Sequence, residues 1–161
     1  MKISSLISDT DDMYWQELAR TGFWGKQAAG CIFLSKDTGR FCLSHRSRMV
    51  VEPNTWGTWG GAMEPGEIPI DAVRREAYEE TGYNGNLELT PLYVFKDSSE
   101  FKYYNFLAIV DFEFSPKLNW ETQGFGWFEW GMWPSPLHFG IKLLLEDSHS
   151  VDLIKQNMPP T

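Results

Sequence analysis

Three glutamates, Glu76, Glu79 and Glu80, stand three and four residues apart in the segment Arg75-Glu76-Ala77-Tyr78-Glu79-Glu80. On a helix that spacing brings their carboxylates out on one face. Carboxylates held so close repel one another and destabilise the helix. A hard divalent cation removes that penalty, because Mg²⁺ or Mn²⁺ prefers oxygen ligands and keeps several waters. The open positions on such a cation can take phosphate oxygens and an attacking water. Arg75 cannot bind a cation, but its planar fork suits a carboxylate partner, and Glu67 can be brought back by the preceding loop to brace loop and helix together. Glycines in Gly60-Gly61-Ala62-Met63-Glu64-Pro65-Gly66 let that loop turn tightly and approach the cation, with a backbone carbonyl as a further ligand. An acidic helix segment taken alone is usually a solvated face, so the longer pattern must carry the reading.

The elements that would position these groups can be read from turn and cap signals. Pro69 suits the first helical position, Asp71 the positive end and Gly82 the stop. Ile70, Val73 and Ala77 form the stripe that seats this helix on a sheet, and Ala72 leaves room above the acidic patch. Ala28 to Ser35 and Arg40 to His45 are β-type runs joined by Asp37-Thr38-Gly39, a hairpin turn. Residues 47 to 58 read as a loop leading to a short strand before Gly60-Gly61. Leu87 to Lys96 and Phe101 to Phe114 read as long strands joined by Asp97-Ser98-Ser99, and Gly126 to Trp130 as a short one. Ser135-Pro136 opens a last helix with Leu137, Ile141, Leu144 and Leu145 on one stripe, and Thr10 caps an early helix over Met13 to Arg20. The tail Gln156 to Thr161 reads as ragged. The expected architecture is one α+β domain over residues 1–161, a mixed sheet covered by helices.

Composition narrows the partners. The chain has 161 residues, 42% hydrophobic and 22% charged, which fits one globular domain with a sizeable core. Fourteen Lys and Arg against 22 Asp and Glu give a net charge of −8. So acidic a chain is poorly suited to gripping a nucleic-acid backbone, and a polyanionic small molecule would need a bound cation. No apolar run is long enough to cross a membrane as a helix, and Met1 to Asp12 does not read as a signal peptide, which leaves a cytoplasmic address. Cys31 and Cys42 read as two reduced thiols packed as small hydrophobes. His45, His138 and His149 show no ligand spacing.

The longer pattern fixes Gly61, Glu67, Arg75, Glu76, Glu79, Glu80 and Gly82, with hydrophobic residues at 77 and 83. A random chain of this size would match it on the order of once in ten million. These residues resemble the Nudix box of the Nudix (MutT-like) hydrolases over 23 residues, Gly61 to Tyr83. Ala77 and Tyr83 stand where bulky aliphatics are commoner, and Trp59 where the family often has proline. Outside the box the likeness continues in Leu43-Ser44-His45-Arg46, in Trp127-Phe128 and in Pro134 to Leu145.

The resemblance implies an α/β/α sandwich that uses Mg²⁺ or Mn²⁺ to hydrolyse a nucleoside diphosphate linked to a further group. It implies that Glu76, Glu79 and Glu80 bind metal, with the Gly60 carbonyl as an extra ligand and Gly61, Glu67, Arg75 and Gly82 supporting the site. Glu121 is the candidate for the acidic loop residue that the family often adds as ligand or base. Glu79 is favoured as general base, with Glu121 next. Arg46 and Arg48 are candidates for the outer phosphates. Trp127, Trp133 and Phe101 are candidate base-stacking platforms, though most such aromatics are core. Asp97-Ser98-Ser99 stands where ADP-ribose enzymes carry a proline, and the compact length is more like members acting on nucleoside triphosphates or dinucleoside polyphosphates. The alternatives are a non-catalytic nucleotide-binding sensor on the same fold, which usually loses box carboxylates, and an isoprenoid-diphosphate isomerase, which the intact box disfavours. Oligomeric state stays open between monomer and homodimer.

Overall fold

A computed structural model describes residues 27–50, 52–96 and 100–160. The early helix over Met13 to Arg20 and the connection Asp97-Ser98-Ser99 lie outside the described residues. The elements are β1 (Gln27–Ser35), β2 (Phe41–Arg46), β3 (Trp56–Gly57), β4 (Trp59–Ala62), α1 (Pro69–Thr81), β5 (Glu88–Lys96), β6 (Lys102–Val110), β7 (Thr122–Phe128), α2 (Phe139–Glu146) and α3 (Ser148–Asn157).

Among the described residues, β1 is the hub of a seven-stranded mixed sheet. Along one edge it runs parallel to β6, which pairs antiparallel with β5. Its other edge is divided: Ala28 to Cys31 pair with β4, while Phe33 and Leu34 pair with β2. β2 in turn carries β3 and β7. Side chains alternate along each strand. Ala29, Cys31 and Phe33 of β1, with Phe106, Ala108 and Val110 of β6, meet Ala72, Val73 and Ala77 of α1. Ile32 and Leu34, with Leu107 and Ile109, meet Ile141 and Leu144 of α2 and Ile154 of α3. The result is a helix–sheet–helix sandwich with one core on each face. Burying a side chain such as Val73 contributes about 1.5–3 kcal/mol, which keeps α1 fixed against the sheet.

Several boundaries differ from the sequence reading. β6 stops at Val110 rather than Phe114, because β1 ends at Ser35 and the chain turns away, with Lys36 N–H donating to Val110 O at 2.9 Å. β7 starts at Thr122, because β2 extends to Arg46 and gives it a partner there. The last helix starts at Phe139, not Ser135, and its N-cap is His138, whose Nδ1 accepts from Gly140 N–H at 3.0 Å. It also breaks in two at Asp147, which is extended and caps α3 by accepting from Ser150 N–H at 3.0 Å. Gln156 and Asn157, read as the start of a ragged tail, close α3, and Met158 packs on the second core. Cys31 and Cys42 are buried and unbonded, as two packed thiols should be, and burial pushes both thiols well up.

Candidate active site

The loop between β4 and α1 is held to the helix by Arg75. Its Nε and Nη2 each donate to the Glu67 carboxylate at 2.9 Å, the paired geometry the sequence implies. Nη2 also reaches Ala62 O at 3.0 Å, at the end of β4. Glu67 Oε1 accepts Glu64 N–H at 2.9 Å, closing the loop on itself. Arg75 holds the Glu67 carboxyl below the usual carboxylate range. The same guanidinium does more than the sequence indicates: Nη1 donates to Glu76 Oε1 at 2.9 Å and to Glu79 Oε1 at 3.1 Å. At the far end of the helix Gly82 adopts φ 74°, the left-handed cap that glycine takes at little cost.

Glu76 is on the buried side of α1, with 8% of its surface exposed. Ala72, expected to leave room above the acidic patch, is instead fully enclosed in the core, because the stripe facing the sheet includes positions 72, 73, 76 and 77. The Glu76 carboxylate lies against the backbone of Gly61: a Cβ there would stand 2.7 Å from Oε2. Burial pushes the Glu76 carboxyl up to about 7; the Arg75 guanidinium opposes this, while the Glu79 and Glu121 charges reinforce it. Burial likewise pushes Glu80 up to about 7, assisted chiefly by the charge of Glu121. Glu121 is raised by its own burial, with Arg46 pulling the other way. Glu79 is different, half-exposed at the rim with Arg75 beside it. Gly60 faces Gly30 across the β4–β1 pair, an approach too close for any side chain.

The structure therefore brings Glu79 and Glu121 within electrostatic reach of both Glu76 and Glu80. Among the described residues, no three carboxylate, imidazole or thiol groups stand close enough together to hold a metal ion between them. The donor types still suit a hard divalent cation, since all four groups are carboxylates and burial raises Glu76, Glu80 and Glu121 alike. Arg46 ends β2 near Glu121, whereas Arg48 is exposed in the turn beyond. The aromatic candidates are packing residues: Trp127 and Phe101 join the cores or their margins, and Trp133 packs edge-on against Phe41 at 5.6 Å. His138 is also part of this region, with burial first and Arg46 second pushing its imidazole down to about 3, so it stays neutral.

One residue of the site escaped sequence reasoning. Asn119 Nδ2 donates to Glu80 Oε2 at 2.9 Å, while its Oδ1 accepts Glu121 N–H at 2.9 Å. The only available signal was an Asn two residues before Glu121, a spacing typical of an Asx turn.

With this geometry in view, comparison with known proteins is unambiguous at the family level. The NUDIX domain model matches residues 25–142, and the chain belongs to the Nudix family. Diphosphoinositol polyphosphate phosphohydrolase NUDT4B of Homo sapiens is 35% identical over 92 residues, which is 56% of this chain and 48% of that protein. The chain spans about half or less of the length of the curated relatives it matches. Among solved structures, the MutT NUDIX hydrolase of Burkholderia pseudomallei is 25% identical with a TM-score of 0.59, covering 76% of this chain and 98% of that one. RenU of M. smegmatis has a TM-score of 0.66 at 19% identity, covering 84% and 88%, and shows the shared fold.

Proposed function

We propose that this chain is a Mg²⁺- or Mn²⁺-dependent hydrolase that cleaves a phosphoanhydride in a nucleoside diphosphate linked to another group, with nucleoside triphosphates or dinucleoside polyphosphates favoured. The observation that carries the reading is the buried Glu76 carboxylate laid against Gly61, on the helix that also bears Glu79 and Glu80 and within reach of the Glu121 charge. Glu76, Glu79, Glu80 and Glu121 would hold the cation, with the Gly60 carbonyl as a further ligand. When bound, it supplies positive charge against the phosphoryl oxygens and lowers the pKa of water.

The remaining work falls to the chain. Arg75 and Glu67 keep the glycine loop in register with α1, so the carboxylates are placed before substrate arrives. Glu79 takes the proton from the attacking water: it stands at the rim, and its contact with Arg75 leaves lone pairs facing solvent. Glu121 is the second choice for that role. Arg46, at the end of β2, binds the outer phosphates, with Arg48 further out. The expected setting is cytoplasmic, with a small-molecule substrate and no nucleic-acid partner. Among the described residues no helix is long and apolar enough to cross a membrane.

The test is a substrate panel assayed for phosphate or diphosphate release, with Mg²⁺ and with chelator. It should contain nucleoside triphosphates, dinucleoside polyphosphates and ADP-ribose. The name of the human relative adds diphosphoinositol polyphosphates. Chelator-sensitive cleavage of at least one compound supports the enzyme, whereas tight binding without cleavage across the panel identifies a sensor.

A further inference from the structure

We infer that Asn119 is a positioning residue that couples Glu80 on α1 to Glu121 on the loop before β7, so that the two carboxylates act as one cation-binding unit. The inference deepens the proposed function and rests on it. Glu80 and Glu121 belong to different elements, and their charges oppose each other's approach. The Asn119 amide links the Glu80 carboxylate to the turn that carries Glu121, donating to Glu80 Oε2 and accepting from the backbone N–H of Glu121, each at 2.9 Å. A carboxamide can give a hydrogen bond to a carboxylate and take one from an N–H at the same time; a carboxylate cannot donate when ionised, and an ammonium cannot accept.

The surrounding backbone is anchored independently. Lys117 N–H donates to Thr81 O at 2.8 Å, fixing the loop to the end of α1. Ser47 N–H donates to Glu121 O at 2.9 Å, fixing it to the end of β2. Loss of the Asn119 side chain therefore leaves the loop tethered on both sides while releasing the Glu80 carboxylate. That separation lets positioning be distinguished from folding.

The experiment measures Mn²⁺ binding to substrate-free protein by the loss of the free-ion electron paramagnetic resonance signal. It compares the wild type with Asn119→Ser and Asn119→Ala. Serine keeps an acceptor for the turn but is too short to reach Glu80. Partners that hold a metal ligand are typically worth 10- to 100-fold in affinity, so both variants should bind Mn²⁺ about tenfold or more weakly. Their metal-free melting temperatures should stay near the wild-type value, and substrate KM at saturating Mn²⁺ should be unchanged. Wild-type Mn²⁺ affinity in both variants would overturn the inference. So would weakened binding accompanied by an equal loss of metal-free stability in both, which marks a merely structural residue. If the wild type itself binds no Mn²⁺, the cation-dependent reading fails first and this inference with it.

Discussion

Gly61 and Glu76 meet more closely than any side chain at position 61 would allow: an added Cβ would lie 2.7 Å from one carboxylate oxygen and 2.8 Å from the other. The contact joins β4 to α1 and places a buried acid against bare backbone. Gly61→Ala should leave the fold standing, since the obstacle is a movable side chain, but displace Glu76 and cost most of the activity. Gly60→Ala meets backbone instead, at Ala29 O and the Gly30 Cα, and should open the β4–β1 pairing. Thermal melting and turnover of the two variants check this. Gly61→Ala should lose activity at nearly normal stability, and Gly60→Ala should lose stability itself.

The carboxylates on α1 are expected to be indispensable. Glu79→Gln and Glu80→Gln each keep the side-chain volume and remove the charge, and each should lower kcat by about 10²-fold or more, the scale at which even partners of a metal ligand are felt. Steady-state kinetics at saturating Mg²⁺ measure it. Near-normal rates in both would remove the metal assignment.

Arg75 satisfies Glu67, Glu76, Glu79 and the Ala62 carbonyl at once. Arg75→Ala leaves all four without it, two of the carboxylates being largely buried. The expected loss is about 3 kcal/mol, as for other broken buried pairs, read from urea denaturation. Arg75→Lys keeps the charge but not the fork and should recover only part of that loss.

Proton linkage gives a further expectation. Glu76 and Glu80 have folded values near 7, above the ordinary 4.5, so the folded metal-free protein binds more protons than the unfolded chain between those limits. Their contribution to stability is therefore complete below about 4.5 and is lost as pH rises through about 7. His138 acts in the opposite sense, since its low value removes stability as pH falls below about 6.5. Comparing melts with Mg²⁺ and with chelator cancels His138 and isolates the carboxylates. A cation must displace their protons, so the stabilisation by Mg²⁺ should be small at about pH 5 and larger at about pH 8. A gain independent of pH would mean that the cation binds elsewhere.

The local placement of the candidate residues was legible because their spacing is local. Glu76, Glu79 and Glu80 follow from helix periodicity, and Gly82 from the left-handed cap it supplies. Arg75 with Glu67 follows from one loop folding back onto one helix. What escaped depends on partners distant in sequence. The end of β6 is set by where β1 turns away at Lys36, and the break at Asp147 by a cap competing with an apolar stripe that runs on past it. Asn119 acquires its role only because the loop is brought over the end of α1. Ala72 was misplaced because the face of α1 toward the sheet is wider than the stripe of Ile70, Val73 and Ala77, and it takes in Glu76 as well.

The most direct measurement follows turnover of the best substrate by ³¹P nuclear magnetic resonance while Mg²⁺ is titrated into chelator-stripped protein. The acidic face of α1 should give no cleavage at the start and a saturable rise as cation is added, with Glu80→Gln staying flat over the same range. Equal cleavage in excess chelator, or bound substrate left intact at every Mg²⁺ concentration, would contradict it.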